Sequence, residues 1–369
     1  MFQRVDVFKL PCTGPADLRA AESLLAQGLL RAEDIVAVMG KTEGNGCVND
    51  FTRDYATRAW CDLLAPHLGI TSTAVHERVA LVMSGGTEGV LSPHFTVFAR
   101  RTVETPAVSA GKRLAVGVAF TRDFLPEEQG RLPQVQATAD AVRAAMRDAG
   151  IEDRADVHFV QIKCPLLTAE KIRAARERGA DTATHDTYES MGASRGASAL
   201  GVACALGEID VAALRDEHIQ RDWSRYSAVA STSAGIELDN NVVIVMGMSA
   251  RAASDYVIAH GLMRDAVDVA GLRRCLRTDF GLDPDEHAEA LQARVVNIFA
   301  KAEASPDGLV RGARHTMLND SDINATRHAR AAVGGALASV LGTTELYVSG
   351  GAEHQGPPGG GPFALILRA

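Results

Sequence analysis

The chain has 369 residues, 46% of them hydrophobic and 23% charged, enough to bury two or three ordinary domains or one large repeated core. Its formal net charge of -8 argues against a general binder of nucleic acid or of anionic membranes, either of which needs a basic face. No apolar run approaches ~18 residues, and MFQRVDVFKLP opens as a strand without a signal-peptide pattern, so a cytoplasmic protein is expected.

Three units then follow one another. Each is predicted to open with an alternating strand: RVDVFKL at Arg4, RLAVGVAF at Arg113 and DYVIAHGLM at Asp255. A helix comes next. In the first unit it is DLRAAESLLAQGLL from Asp17, with leucines and alanines at three-to-four spacing. In the second it is QATADAVRAAMRDAG from Gln136, with Gly150 as its C-cap. In the third it is PDEHAEALQARV, with Pro284 in the first turn beside acidic residues.

An apolar strand ending in lysine follows in each unit: VAVMGK (Lys41), VHFVQIK (Lys163) and VVNIFAK (Lys301). A second helix then carries arginine: FTRDYATRAWCDLLAPHLG (Arg53), ASRGASALGVACALGE (Arg195) and INATRHARAAVGGALASVLG (Arg327, Arg330). The next apolar strand ends in serine, as ALVMSGG (Ser84), VASTSAG (Ser233) and LYVSGG (Ser349). Glycines turn it into a closing strand: HFTVFAR, NNVVIVMG or PFALILR.

Lysine-to-serine spacings of 43, 70 and 48 residues put an insertion in the middle unit, expected as loop variation around Asp210 to Tyr226. Boundaries near 105–111 (TPAVSAG) and 250–255 divide the chain into repeats A (1–105), B (111–250) and C (255–369). Self-similarity at this period predicts an α/β (α+β) fold of three similar repeats around a pseudo-threefold axis.

The repeated pairs carry the chemistry. A lysine buried at the end of an apolar strand loses affinity for its proton, and neighbouring arginines act in the same direction. Such a neutral lysine can take the proton of a serine hydroxyl, as histidine does in a Ser-His-Asp triad. A single strand-end lysine usually snorkels to solvent; three at equivalent positions, each with a matching serine, point to one axial site.

Glycines after the serine let backbone N–H groups approach a carbonyl oxygen and the oxyanion it becomes. The middle copy reads Ser-Ala-Gly rather than Ser-Gly-Gly, a break in symmetry expected if one dyad alone does covalent chemistry. The arginines can fork onto a carbonyl or imide anion, so the pocket suits a small anionic or acyl-type ligand.

Other signals are weaker. TEGNGCVNDFTR (Thr42 to Arg53) lacks the spacing of a phosphate loop. Six scattered cysteines (Cys12, Cys47, Cys61, Cys164, Cys204, Cys275) form no disulfide framework or zinc spacing, and the histidines form neither H-x-H nor H-E-x-x-H. The loop SGGAEHQGPPGGGP precedes a good strand and is expected to be pinned. Its backbone carbonyls, with Gln355 and a carboxylate such as Glu303, could hold a hard cation.

Across nearly its whole length the chain resembles the ring-opening amidohydrolases, the family of cyanuric acid hydrolase and barbiturase. The matching segments are GKTEGNGCVNDFTR, MSGGTEGVLSPH, FTRDFLPEE, HFVQIKCPLL, DTYESMGASRGASALG, STSAGIEL, FAKAEASPDG, DSDINATRHAR and VSGGAEHQGPPGGGPFA. The resemblance implies a barrel-like β core at the threefold axis with helices outside. It implies hydrolytic opening of cyanuric acid to carboxybiuret, which loses carbon dioxide to give biuret.

On the same basis Lys163 is the general base and Ser233 the nucleophile. Substrate contacts fall on Arg53, Ser84, Gly85, Arg195, Ser233 and Ala234. In repeat C they fall on Ser349, Gly350 and one of Arg327 or Arg330, of which Arg330 is preferred. A structural divalent cation, magnesium or calcium, would sit on Glu303, Ala352, Gln355, Gly356, Pro357 and Gly360. No organic cofactor is implied, and the expected partners are a small-molecule substrate and further copies of the chain in a homotetramer. Barbituric acid as substrate, or a non-catalytic small-molecule binder using the same pocket, are the alternatives.

Overall fold

The computed structural model describes residues 1–105 and 111–369, so the expected junction at 105–111 lies largely outside the described residues. Repeat A holds β1 (Phe2–Pro11), α1 (Arg19–Ala26), β2 (Ile35–Thr42), α2 (Phe51–Leu68), β3 (Ala80–Gly85) and β4 (His94–Val103). Repeat B holds β5 (Arg113–Phe120), α3 (Leu132–Ala149), β6 (Val157–Pro165), α4 (Ala169–Glu177), α5 (Thr187–Leu206), β7 (Ala230–Gly235) and β8 (Val242–Ser249). Repeat C holds β9 (Tyr256–Met263), α6 (Val269–Phe280), α7 (Ala288–Arg294) and β10 (Val295–Ala302). It continues through the two-residue strands β11 (Leu309–Val310) and β12 (Ala313–Arg314) to α8 (Ala325–Leu341), β13 (Tyr347–Gly350) and β14 (Gly361–Arg368).

Each repeat builds one four-stranded sheet with the same strand order: β1-β4-β2-β3, β5-β8-β6-β7 and β9-β14-β10-β13. The lysine strand pairs in parallel with the serine strand at the sheet edge, a geometry that needs a crossover helix. It pairs antiparallel with the closing strand, and its register slips by one residue at the same place in all three repeats: Ile35/Ala37, Val157/Phe159 and Val295/Asn297.

Two kinds of core follow from the two faces of each sheet. The outer faces are covered by the repeat's own helices: Trp60 and Leu64 of α2 join Val38 and Leu81, Val142 and Leu200 join Val160 and Ile162, and Leu272 and Leu337 join Ile298 and Val348. The inner faces meet each other in one shared cluster that includes Val7, Val82 and Phe98, Val116, Phe159 and Met246, and Ile258, Phe299 and Tyr347. Phe299 lies at its centre, 6.2 Å from Phe98 and 5.6 Å from Phe159 between ring centroids.

This arrangement corrects the barrel-like core. The three sheets stay open and pack face to face. Among the described residues the ladders touch between repeats only through single bridges, Gln3 with Ala252 and Ser227 with Gln355. Inward side chains from all three sheets fill the space between them, and among the described residues no strand of one sheet pairs along a ladder with a strand of another.

Two local expectations also change. The first helix of repeat C is α6, and Pro284 lies in the turn before α7, where Asp283 accepts from the backbone of Asp285. The length added to the middle repeat is not confined to the loop at Asp210 to Tyr226, because Thr168 also caps an extra helix, α4, between the lysine strand and α5. Gly150, in contrast, ends α3 in the left-handed conformation, as its position predicts. Among the described residues no helix is long and apolar enough to cross a membrane.

Candidate active site

Side chains along a strand alternate between its faces, and that rule delivers the charged groups to the axis. In β2 the core residues Ala37 and Met39 are followed on the same face by Lys41. In β10 Phe299 is followed by Lys301, and in β6 Phe159 and Gln161 are followed by Lys163. The serine strands do the same, with Val82 before Ser84 and Tyr347 before Ser349. The parallel register then sets Lys41 opposite Ser84, Lys163 opposite Ser233 and Lys301 opposite Ser349.

These pairs cap one end of the shared core around a cavity of about 20 Å3. Ser84, Ser233, Ser349, Gly85, Ala234, Gly350, Arg53, Arg195 and Arg330 all line it, so the expected contact residues come together. Gly46 and Met191 line it too and were not expected. Arg327 does not: it lies partly exposed beside Glu88, whereas Arg330 is buried at the cavity wall.

The three pairs differ in their hydrogen bonds. Lys41 Nζ donates to Ser84 Oγ at 3.2 Å and to Gly85 O at 3.3 Å. Lys301 Nζ donates to Ser349 Oγ at 3.2 Å, to Gly350 O at 3.0 Å and to Thr232 O of the neighbouring repeat at 2.9 Å. Lys163 Nζ donates to Met83 O at 3.0 Å and pairs with Glu237 at 2.9 Å, while Ser233 Oγ meets Ser349 Oγ at 3.1 Å.

A second threefold pattern surrounds the first, and it was missed in the sequence. Each serine is followed four residues later by glutamate: Glu88, Glu237 and Glu353. Arg330 of repeat C forks onto Glu88 of repeat A at 2.5 and 2.8 Å, and Arg195 of repeat B forks onto Glu353 of repeat C at 2.6 and 2.8 Å. Arg53 of repeat A reaches Ala234 O of repeat B at 3.0 Å and Cys47 O at 2.6 Å, and its buried Nε has no hydrogen-bond partner among the described residues.

Burial pushes all three lysines below the ordinary range. Lys41 falls well below it, with Arg330 adding to the effect. Lys301 is pushed down to about 7 by burial and by Arg195. Lys163 is lowered by burial too, but Glu237 opposes the shift. Burial would raise Glu353, yet Arg195 holds it below the usual carboxylate range.

The divalent-cation site is corrected by the same geometry. Among the described residues no cluster of three or more His, Cys, Asp or Glu side chains could hold a metal ion. Glu303 instead accepts from the backbone N–H of Ala352 at 2.6 Å and of Ala304 at 3.2 Å. Burial and the charge of Glu353 raise Glu303 to about 7.

Two of the proposed carbonyl ligands are engaged by the loop itself, since Ala352 O accepts from Gln355 N and Pro357 O from Gly360 N. The loop is pinned, but by hydrogen bonds to repeat B, at its serine strand and the segment just before it. Gln355 Oε1 accepts from Thr232 N at 2.6 Å, His354 Nδ1 meets Arg225 O at 2.6 Å, and Gly356 N donates to Ser227 O at 3.0 Å.

Known proteins share this architecture. The model of a family described as amidohydrolase ring-opening protein matches residues 6–368. The chain is 60% identical over 365 residues to the cyanuric acid amidohydrolase of Pseudomonas sp. (strain ADP), covering 99% of each. A solved cyanuric acid hydrolase, described as an evolutionary innovation by structural concatenation, matches with a TM-score of 0.96 at 60% identity over 100% of both chains. The cyanuric acid hydrolase from A. caulinodans matches with a TM-score of 0.89 at 50% identity over 99% of this chain and 98% of the other. With a family match over almost its entire length, and relatives this similar, the chain belongs to the ring-opening amidohydrolases.

Proposed function

We propose that this chain hydrolyses cyanuric acid to carboxybiuret, with Ser233 as nucleophile and Lys163 as general base. The observation that supports this most is the threefold set of Lys–Ser pairs in one register around a single small cavity. Cyanuric acid has three equivalent ring carbonyls, one for each repeat to grip. The relatives named above carry the same substrate in their names.

In the first half-reaction Lys163 Nζ takes the Ser233 Oγ proton as the oxygen bonds to a ring carbonyl carbon. Backbone N–H groups at Ala234 and its neighbours hold the oxyanion. Collapse breaks the ring C–N bond, and Lys163 returns the proton to the departing nitrogen. In the second half-reaction water gives a proton to Lys163 and attacks the acyl carbon, and Ser233 leaves and recovers its proton. The product is an N-carboxylated biuret, which loses carbon dioxide.

Ser84, Ser349, Gly85 and Gly350 hold the two unreacting carbonyls in this reading, with Arg53, Arg195 and Arg330 at the rim. Lys163 and Ser233 face each other across the strand pair without a hydrogen bond, a looseness common before substrate binds. The purified protein incubated with cyanuric acid should consume it and release biuret and carbon dioxide. Absence of turnover, or a higher kcat/KM on barbituric acid, overturns the assignment.

A further inference from the structure

The glutamates four residues after each serine share a sequence position but not a partner. Glu88 and Glu353 are each taken by an arginine from the preceding repeat. By the same rule Glu237 should take Arg53. It takes Lys163 instead, at 2.9 Å, and Arg53 turns to two backbone carbonyls. Lys163 is thus the only one of the three axial lysines with a carboxylate in direct ion-pair contact among the described residues.

Local backbone makes room for this. The glycine two residues after each serine leaves space where a side chain would collide. A Cβ on Gly86 would meet Arg330 Nε at 2.5 Å and one on Gly351 would meet the Arg195 guanidinium at 2.7 Å. In the middle repeat a Cβ on Gly235 would meet the Glu237 carboxylate itself, at 2.2 Å. The same glycine position admits an arginine–glutamate fork twice and a glutamate tucked toward lysine once. Glu237 does not line the cavity at the serines, so its route to the chemistry is through Lys163.

We propose that Glu237 is the positioning residue of a Ser233–Lys163–Glu237 relay, orienting the Lys163 amine and stabilising the ammonium it becomes when it takes the serine proton. This rests on the assignment of Lys163 as base. The logic is that of a third group orienting a base and carrying the charge that develops on it. The charged and titratable neighbours of Lys163 are Glu237, Arg53 and Cys164; Glu237 favours its protonated form and Arg53 disfavours it.

The test compares Glu237→Gln, Glu237→Asp, Glu353→Gln and Lys163→Met in steady-state kinetics on cyanuric acid across pH. Glu237→Gln should lower kcat by about 100-fold with KM within about threefold, a size typical of losing support to a general base. Its acid limb of kcat/KM should move to lower pH, because the amine loses the charge that favoured its proton. Glu237→Asp, which keeps the charge, should recover part of kcat and retain the original limb. Glu353→Gln, which frees an arginine, should raise KM and leave the limb in place.

A Glu237→Gln enzyme with unchanged kcat and limb, or one that behaves like Glu353→Gln, overturns the proposal. If Glu237→Gln does not fold, Glu237→Asp decides: reduced kcat at constant KM supports the relay, and any other pattern overturns it. Lys163→Met separates the two readings. Turnover retained there removes the base assignment itself, whereas loss there beside a normal Glu237→Gln removes only the role of Glu237.

Discussion

In repeat A, Lys41 Nζ donates to Ser84 Oγ and to a carbonyl, and the nearby glutamate is already forked by Arg330. In repeat B, Lys163 stands at the same register, yet it donates to Met83 O and pairs with Glu237. The backbones of the two regions agree down to the position of the register slip. What separates them is which cation the glutamate chooses. A repeated fold can therefore place three similar groups at one site while a single exchange of partners gives one of them a different proton affinity.

The sharpest way to break the comparison is to remove each lysine in turn. Lys163→Ala should lower kcat by roughly 10³-fold, about 4 kcal/mol of transition-state stabilisation, and Lys41→Ala should act mainly on KM. Equal loss of kcat in both, measured on cyanuric acid, would show that the pairs act as a unit. Next in size are the forks. Glu88→Gln should lower unfolding stability by about 3 kcal/mol, because Arg330 is left buried without its charge partner. A denaturant midpoint equal to that of the unsubstituted chain would show that the fork contributes nothing.

The smallest effect is expected at the two serines proposed to hold substrate without reacting. Ser84→Ala and Ser349→Ala each remove one hydrogen bond of about 0.5–1.5 kcal/mol and should raise KM by up to about tenfold. Ser233→Ala instead should leave substrate bound and unreacted, readable by calorimetry.

Much of this site could be read from the chain alone, for a physical reason. Lys41, Lys163 and Lys301 end apolar alternations, so period-two geometry carries them inward with the core residues before them. The glutamates were equally visible in sequence, at a fixed offset from each serine. Acidic residues in glycine-rich loops usually meet solvent, and nothing local says that an arginine from another repeat will bury them.

The open sheets were hidden for a similar reason. Strand edges look alike in sequence whether a neighbour pairs with them or packs across them. The cation site failed where backbone matters most, since the carbonyls of Ala352 and Pro357 turn out to serve the loop's own turns. First-helix periodicity misled in repeat C, where the residues around Pro284 form a turn and the helix lies earlier, at Val269–Phe280.

The arginines pass from repeat to repeat in a ring: A reaches B through Arg53, B reaches C through Arg195, and C returns to A through Arg330. Their sequence separations are 181, 158 and 242 residues. Contacts this distant form only after much of the chain is ordered, since loop closure must come before they reward it. During synthesis Glu88 waits for an arginine that leaves the ribosome 242 residues later, while each sheet can already bury its outer face under its own helices. The ring is thus a late product of folding: a chain interrupted before Arg330 would carry two lysine–serine pairs and no closed circuit of arginines around them.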